Sequence, residues 1–233
     1  MVLDTATKIF MLYTGLTGAI FFFVPSMPVK ETFGDLSGQE FLVARVYSEV
    51  IGGLSLALFV GTCPGAMGVL LSSMCWILTM AKHILVDNLQ PPMPVLIMAT
   101  SCVAINFYSV KTESKLGKRV FMAFNALNAF MFFTNPGQVL ADSFPSVSAG
   151  SNAYKYAVLL IEVVATHCVC QILTQCPPPL GRAMAMTALL GLVAKHNVVD
   201  NFGPPLPVLG LMVVCAAAQY YAVATKKRKA KPA

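Results

Sequence analysis

The chain has 233 residues, 57% of them apolar and 11% charged, with a net charge of +6 and a mean hydropathy of +0.71. A soluble domain carries about 25% charged residues, so this composition excludes an ordinary water-soluble fold and indicates an integral membrane protein. The positive charge does not indicate nucleic acid: five of the sixteen basic residues fall in the last eight positions and four more in Lys111–Arg119, at the flanks of apolar runs rather than in a stripe interleaved with exposed aromatics.

The apolar runs are long and continuous, whereas barrel strands alternate with period two. Helices are therefore predicted throughout. The first run is Ile9–Val24, ended by Pro25. Taken alone it could be a cleaved leader. A polar hairpin follows, Pro25–Glu40, expected as a small lid on the membrane face. A second helix is predicted over about Phe41–Val60, with Glu49 inside it. The turn GTCPGA leads to a third helix, about Met67–Val86. That helix ends at Lys82 and His83, followed by Asp87, Asn88 and a Pro-Pro turn. The prolines open a fourth helix, about Pro92–Val110, where a missing N–H costs nothing.

The stretch AKHILVDNLQPPMPVL (Ala81–Leu96) then returns 113 residues later as AKHNVVDNFGPPLPVL (Ala194–Leu209), with eleven of sixteen positions identical and no gap. A match that dense marks a duplicated unit. The second copy reads RVFMAFNALNAFMFFTNP (Arg119–Pro136), which aligns with Lys8–Pro25. A lid follows over Pro136–Asn152. Helices are then expected at about Ala153–Thr174 with Glu162, about Ala183–Val199 with Lys195 and His196, and about Pro205–Thr225 after Asp200 and Asn201. An internal copy of the first run argues that this run is a retained helix.

The expected fold is an all-α integral membrane protein with eight transmembrane helices in two parallel four-helix repeats. The first repeat is 1–110, followed by a basic linker over 111–118, a second repeat over 119–225 and a polybasic tail over 226–233. An even number of crossings per repeat starts both copies on one side, with the pseudo-twofold axis along the membrane normal. Positive-inside counting puts Lys8, the linker, Arg182 and the tail on the cytosolic side. The lids and both Asp-Asn turns then face the other way.

Glu49 lies about nine residues into its helix, on the order of 13 Å. A carboxylate at such depth is costly unless it is paired, protonated or facing water. Two equivalent ion pairs are expected, Glu49–Lys82 and Glu162–Lys195, extended by Asp87 and Asp200. The alternative is a lysine that snorkels to the surface and a neutral glutamate that packs between helices. His83 and His196 are equivalent and could hold haem or a metal between the copies, or, as the favoured reading, each could bond to a neighbouring helix end. No metal site is expected. The candidate binding set is Glu49, Lys82, His83, Asp87, Asn88, Glu162, Lys195, His196, Asp200 and Asn201. No nucleophile–base pair is evident, and no catalytic residue is assigned.

The seven cysteines lie mostly in or beside apolar runs and read as small buried hydrophobes, with no CxxC among them. Gly52-Gly53, one turn after Glu49, permits close helix contact, and Ala165-Thr166 stands at its place in the second copy. The tail ATKKRKAKPA attracts anionic lipid at about 1 kcal/mol per basic residue. Its Lys229 and Lys231 also resemble a K-x-K-x-x dilysine retrieval signal of the endoplasmic reticulum.

The run Tyr47–His83 resembles the DoxX/DoxD-like membrane family in its intramembrane Glu49, the Gly52-Gly53 pair, Leu56, Leu58 and Gly61. In the second copy only Glu162 remains, with Ala165, Thr166 and Thr174 at the glycine positions. That resemblance implies a four-helix unit. Its members include quinone-coupled subunits and receptor-assembly chaperones, and the duplicated architecture is similar to that of secretory-pathway cargo receptors. The expected function is a non-enzymatic accessory subunit, chaperone or cargo/lipid-binding receptor. Its partners would be the lipid bilayer and other membrane or secretory proteins, with no nucleic acid. Alternatives are a membrane subunit of a redox or photosynthetic complex holding quinone, haem or pigment, and a proton-coupled transporter. The endoplasmic reticulum is favoured, with a mitochondrial or plastid membrane as alternative.

Overall fold

A computed structural model describes residues 4–89, 93–200 and 206–229. Among these residues the chain forms ten α-helices and no strand. The first five are α1 (Thr5–Phe23), α2 (Ser26–Phe33), α3 (Gly38–Val60), α4 (Gly65–Leu85) and α5 (Met93–Thr112). The next five are α6 (Leu116–Thr134), α7 (Pro136–Ser143), α8 (Asn152–Leu173), α9 (Leu180–Val199) and α10 (Leu206–Lys229).

Six of them, α1, α3, α4, α5, α8 and α10, are long and apolar enough to cross a membrane. The chain is a multi-pass membrane protein. The two other long helices are diluted by polar residues. In α6 these are Lys118, Arg119, Asn125 and Asn128; in α9 they are Arg182, Lys195, His196 and Asn197. Asn125 and Asn128 are buried, and each donates its amide to a carbonyl one turn back, Phe121 and Phe124.

The two lids differ from the hairpins expected of them. Each contains an eight-residue helix, α2 and α7. Prolines open them: Pro25 precedes α2, and Pro136 is the first residue of α7, where the missing N–H is not needed. Gly34, at φ +77°, ends α2 in a conformation that a side chain disfavours.

Helices α3 and α8 form the centre and pack on each other. α1 and α4 flank α3, while α6 and α9 flank α8. α5 bridges α4 to α6, and α10 bridges α9 to α1, closing the bundle. α3 is the most buried of the membrane-length helices, α5 and α10 the least. The latter two turn Ile97, Phe107, Val213 and Tyr221 outward, as lipid-facing surfaces do. Closeness at the α1–α3 contact depends on glycine: a Cβ on Gly18 would stand 2.8 Å from Leu56 N, and one on Gly52 would stand 2.4 Å from Phe22 N.

At the other end of α1, Asp4 caps the helix. Its Oδ1 accepts from Thr7 N at 2.7 Å and from Thr7 Oγ1 at 3.0 Å. Partial burial pushes the Asp4 carboxyl upward, but the Thr7 bonds and the Arg182 charge outweigh it and hold the group below its ordinary value. A carboxyl lowered on folding stabilises above its unfolded value and loses that contribution as pH falls through the folded one. Asp4→Ala should therefore cost about 1 kcal/mol at neutral pH. In thermal melts in mild detergent the difference should vanish in acid below the ordinary carboxylate range.

Candidate functional site

Glu49 stands at the middle of α3 and is fully buried. Lys82, in the last turn of α4, reaches inward instead of snorkelling. Its Nζ lies 2.8 Å from Glu49 Oε1 and donates at 2.9 Å to the carbonyl of Phe22. That carbonyl belongs to the last turn of α1, which has no intrahelical N–H to accept. The Lys82 ammonium also sits 5.0 Å from the centre of the Phe22 ring.

Asp87 extends the pair. Its Oδ1 accepts from Arg45 Nη2 at 2.7 Å, and its Oδ2 lies 3.3 Å from His83 Nδ1. Arg45 Nη1 is 3.6 Å from Glu49 Oε1. Two carboxylates thus face two permanent cations, with His83 beside them. Asn88 has a different part. At φ +53° it takes the left-handed conformation that follows a helix, while Leu89 N returns to His83 O at 3.0 Å. Its backbone turns the chain so that Asp87 faces inward; its own side chain is exposed.

Around Glu162 the same pattern recurs with one loss. Lys195 Nζ bonds Glu162 Oε2. His196 Nδ1 lies 2.7 Å from Asp200 Oδ2, and its Nε2 lies 3.6 Å from Glu162 Oε2. The equivalent of Arg45, however, is Val158. With one fixed cation fewer, the cluster opens. The Glu162 side chain is 21% exposed against 1% for Glu49, and Lys195 is 45% exposed against 20% for Lys82. Asn201 lies outside the described residues, as does Lys231 of the tail. Lys229 is the last residue of α10.

Each of the two histidines faces the carboxylates of its own copy. Glu49, His83 and Asp87 bring three ligand-type atoms within 4.8 Å of one another. A divalent ion there would have to displace the Lys82 ammonium and the Arg45 guanidinium, so the arrangement is better matched to the side chains it already holds.

Sequence reasoning missed three features. Arg45 is one; it stands four residues before Glu49 on the same helix face. The second is a bond across the central helix pair. His167 Nδ1 lies 2.9 Å from the carbonyl of Val163, so it carries the proton, and Nε2 accepts from Ser55 Oγ at 3.2 Å. This is the hydrogen-bond order of a nucleophile and its base. Both residues are buried between α3 and α8, and neither lines either of the two cavities described below. Its part is to tie the two central helices together.

The third is a cavity of about 270 Å³ lined by residues of α3–α8. Its walls are largely apolar: Val46, Val50, Met80, Val95, Met98 and Phe132. The α7 lid supplies Val139, Asp142 and Ser143, and His83 joins the cavity to the first charge cluster. Trp76, the chain's single tryptophan, also lines it. A larger cavity, about 850 Å³, opens at the opposite end of the bundle. It lies between the turns that hold Cys63 and Cys176 and is rimmed by Lys115, Lys118 and Arg182. There Arg182 bonds Thr7 Oγ1, and Lys118 donates to Gln175 O at 2.7 Å.

Compared with known proteins, the chain matches no family model, no curated protein and no solved structure.

Proposed function

We propose that this chain is a non-enzymatic receptor of the endoplasmic-reticulum membrane that holds a small lipid-like ligand between its helices. The observation that carries the reading is the apolar cavity beside Trp76 and His83, under the α7 lid. Ligand sites are concave and mostly apolar, with a few placed polar groups. The two carboxylates nearest the cavity's charged end, Glu49 and Asp87, are held by fixed cations. They therefore serve better to fix α3, α4 and the end of α1 than to shuttle protons.

The same reading takes the bundle as eight crossings in two parallel repeats. Helix order supports it: long, short and three long, twice over. The packing pairs of α1–α5 recur among α6–α10. Gln39, at the start of α3, donates to Ser146 of the second lid at 2.8 Å, and the Phe33 ring packs at a tilt against that of Tyr156, 4.7 Å between centres. Equivalent ends therefore meet on one side, with the basic residues of the linker, Arg182 and Lys226 around the other. The resemblance of Tyr47–His83 to the DoxX/DoxD-like family agrees with a receptor or accessory role.

The test is lipid extraction from protein purified in mild detergent, followed by mass spectrometry. Val95→Phe and Val139→Phe fill the cavity from two helices. The parent protein should carry a defined lipid at about one per chain, and both variants should lose it while melting normally. Equal lipid recovery from all three proteins would sink the receptor reading.

A further inference from the structure

At the end of the bundle away from the lids, the cations are held differently. Around Glu49 and Glu162, the side chains of Arg45, Lys82 and Lys195 are each matched to a carboxylate. Around the cavity of about 850 Å³ the bonds go to neutral oxygens instead. Lys118 donates to the Gln175 carbonyl at 2.7 Å, Arg182 to the Thr7 hydroxyl, and Lys226 to the Pro178 carbonyl at 3.1 Å. Lys115 joins them on the cavity wall. Among the described residues none of these four cations stands in an ion pair. Bonds of this kind fix a side chain without cancelling its charge.

Two carboxylates share the wall, Asp4 and Glu113. Asp4 is spent on the first turn of α1 through Thr7, and Glu113 is exposed just past α5. Four cations against these two carboxylates leave two positive charges in excess. Topology places basic residues at this end. It does not require that the start of α6, the first turn of α9 and the end of α10 bring theirs to one hollow. Lys115, Lys118 and Cys63 are exposed, so the hollow is reached from outside. A carboxylate or a phosphodiester would bring one negative charge. A phosphomonoester brings about −1.5 to −2 at pH 7, with three acceptor oxygens for cations on separate segments. The volume falls within the range of about 300–1,000 Å³ for ligand sites, which leaves room for whatever the phosphate is attached to.

We infer that this cavity binds a phosphomonoester, with Lys115, Lys118 and Arg182 as the cations that hold it. The group can belong to a lipid head or to a free metabolite. No residue of the apolar cavity takes part, so the site stands or falls apart from the receptor reading. Cys63 lines the cavity and is exposed, and its reactivity reports occupancy. With Cys75 and Cys176 replaced by serine, its modification by the neutral reagent N-ethylmaleimide is timed in mild detergent. The probes are glycerol 3-phosphate, dihexanoyl phosphatidic acid and, at matched total charge, the phosphodiester dihexanoyl phosphatidylglycerol.

Phosphatidic acid, glycerol 3-phosphate or both should slow the modification saturably, and phosphatidylglycerol should not. Lys115→Gln combined with Lys118→Gln should raise the half-protecting concentration about tenfold or more. Lys8→Gln combined with Lys111→Gln changes two exposed lysines that do not line the cavity and should leave that concentration as it was. Protection by phosphatidic acid alone assigns the phosphate to a lipid head. Protection by glycerol 3-phosphate assigns it to a free phosphomonoester, and either result upholds the site. Equal protection by phosphatidylglycerol would reduce it to general surface charge and overturn the inference. So would the absence of protection by every probe, or unchanged protection in the variant lacking Lys115 and Lys118.

Discussion

Replacing Lys82 with methionine should destabilise the protein by about 3–5 kcal/mol, the cost of leaving a buried charge without its partner. Of the permanent cations Glu49 would retain only Arg45, at 3.6 Å, and Arg45 is already held by Asp87 at 2.7 Å. The Phe22 carbonyl would lose its donor as well. Adding Glu49→Gln removes the orphaned charge and leaves Arg45 and Asp87 matched one to one. The double variant should therefore recover more than half of the loss. In the second copy the same change, Lys195→Met, should cost about 1 kcal/mol or less, because water reaches both partners and screens them. Cys102, Cys168, Cys170 and Cys215 are free and buried while Cys63 is exposed, so with Cys63, Cys75 and Cys176 replaced by serine a thiol-reactive dye reads unfolding in detergent. A double variant no more stable than Lys82→Met would remove the ion pair from the account. Equal losses in the two copies would remove the role assigned to Arg45.

That asymmetry also marks how far the sequence could be read. Reading by duplication brings out what the copies share. Glu49 with Lys82 and Glu162 with Lys195 were legible because each pair occurs twice in one register, and they meet as expected. Arg45 occurs once, opposite Val158, and so the comparison passed over it. The long helices were legible because apolar runs end at prolines and polar turns. The lids were not, since eight residues give too few turns for a helical period to emerge from a polar segment. The cavity left no linear signal. Val46, Trp76, Met98 and Phe132 come from four helices, and only their packing creates the space. A lone tryptophan in an apolar run pointed nowhere until His83 was found on the same wall.

Gly52 should tolerate no side chain, and its failure should reach the charge cluster. A Cβ there would lie 2.4 Å from Phe22 N and 2.7 Å from Phe21 C. Both atoms are backbone, so no rotamer relieves the clash and α1 must move off α3. Gly52→Ala should cost about 1–3 kcal/mol. Gly191, also within a helix, has nothing within 4 Å of the same position. Gly191→Ala should therefore stabilise by up to about 1 kcal/mol through helix propensity alone. The shift of α1 also carries away the Phe22 carbonyl, which accepts from Lys82. Gly52→Ala and Lys82→Met then damage one junction, and together they should cost less than the sum of the two single changes. Additive losses in the dye melts would separate the glycine contact from the ion pair. A Gly52→Ala protein as stable as its parent would show that α1 and α3 are not in the contact described.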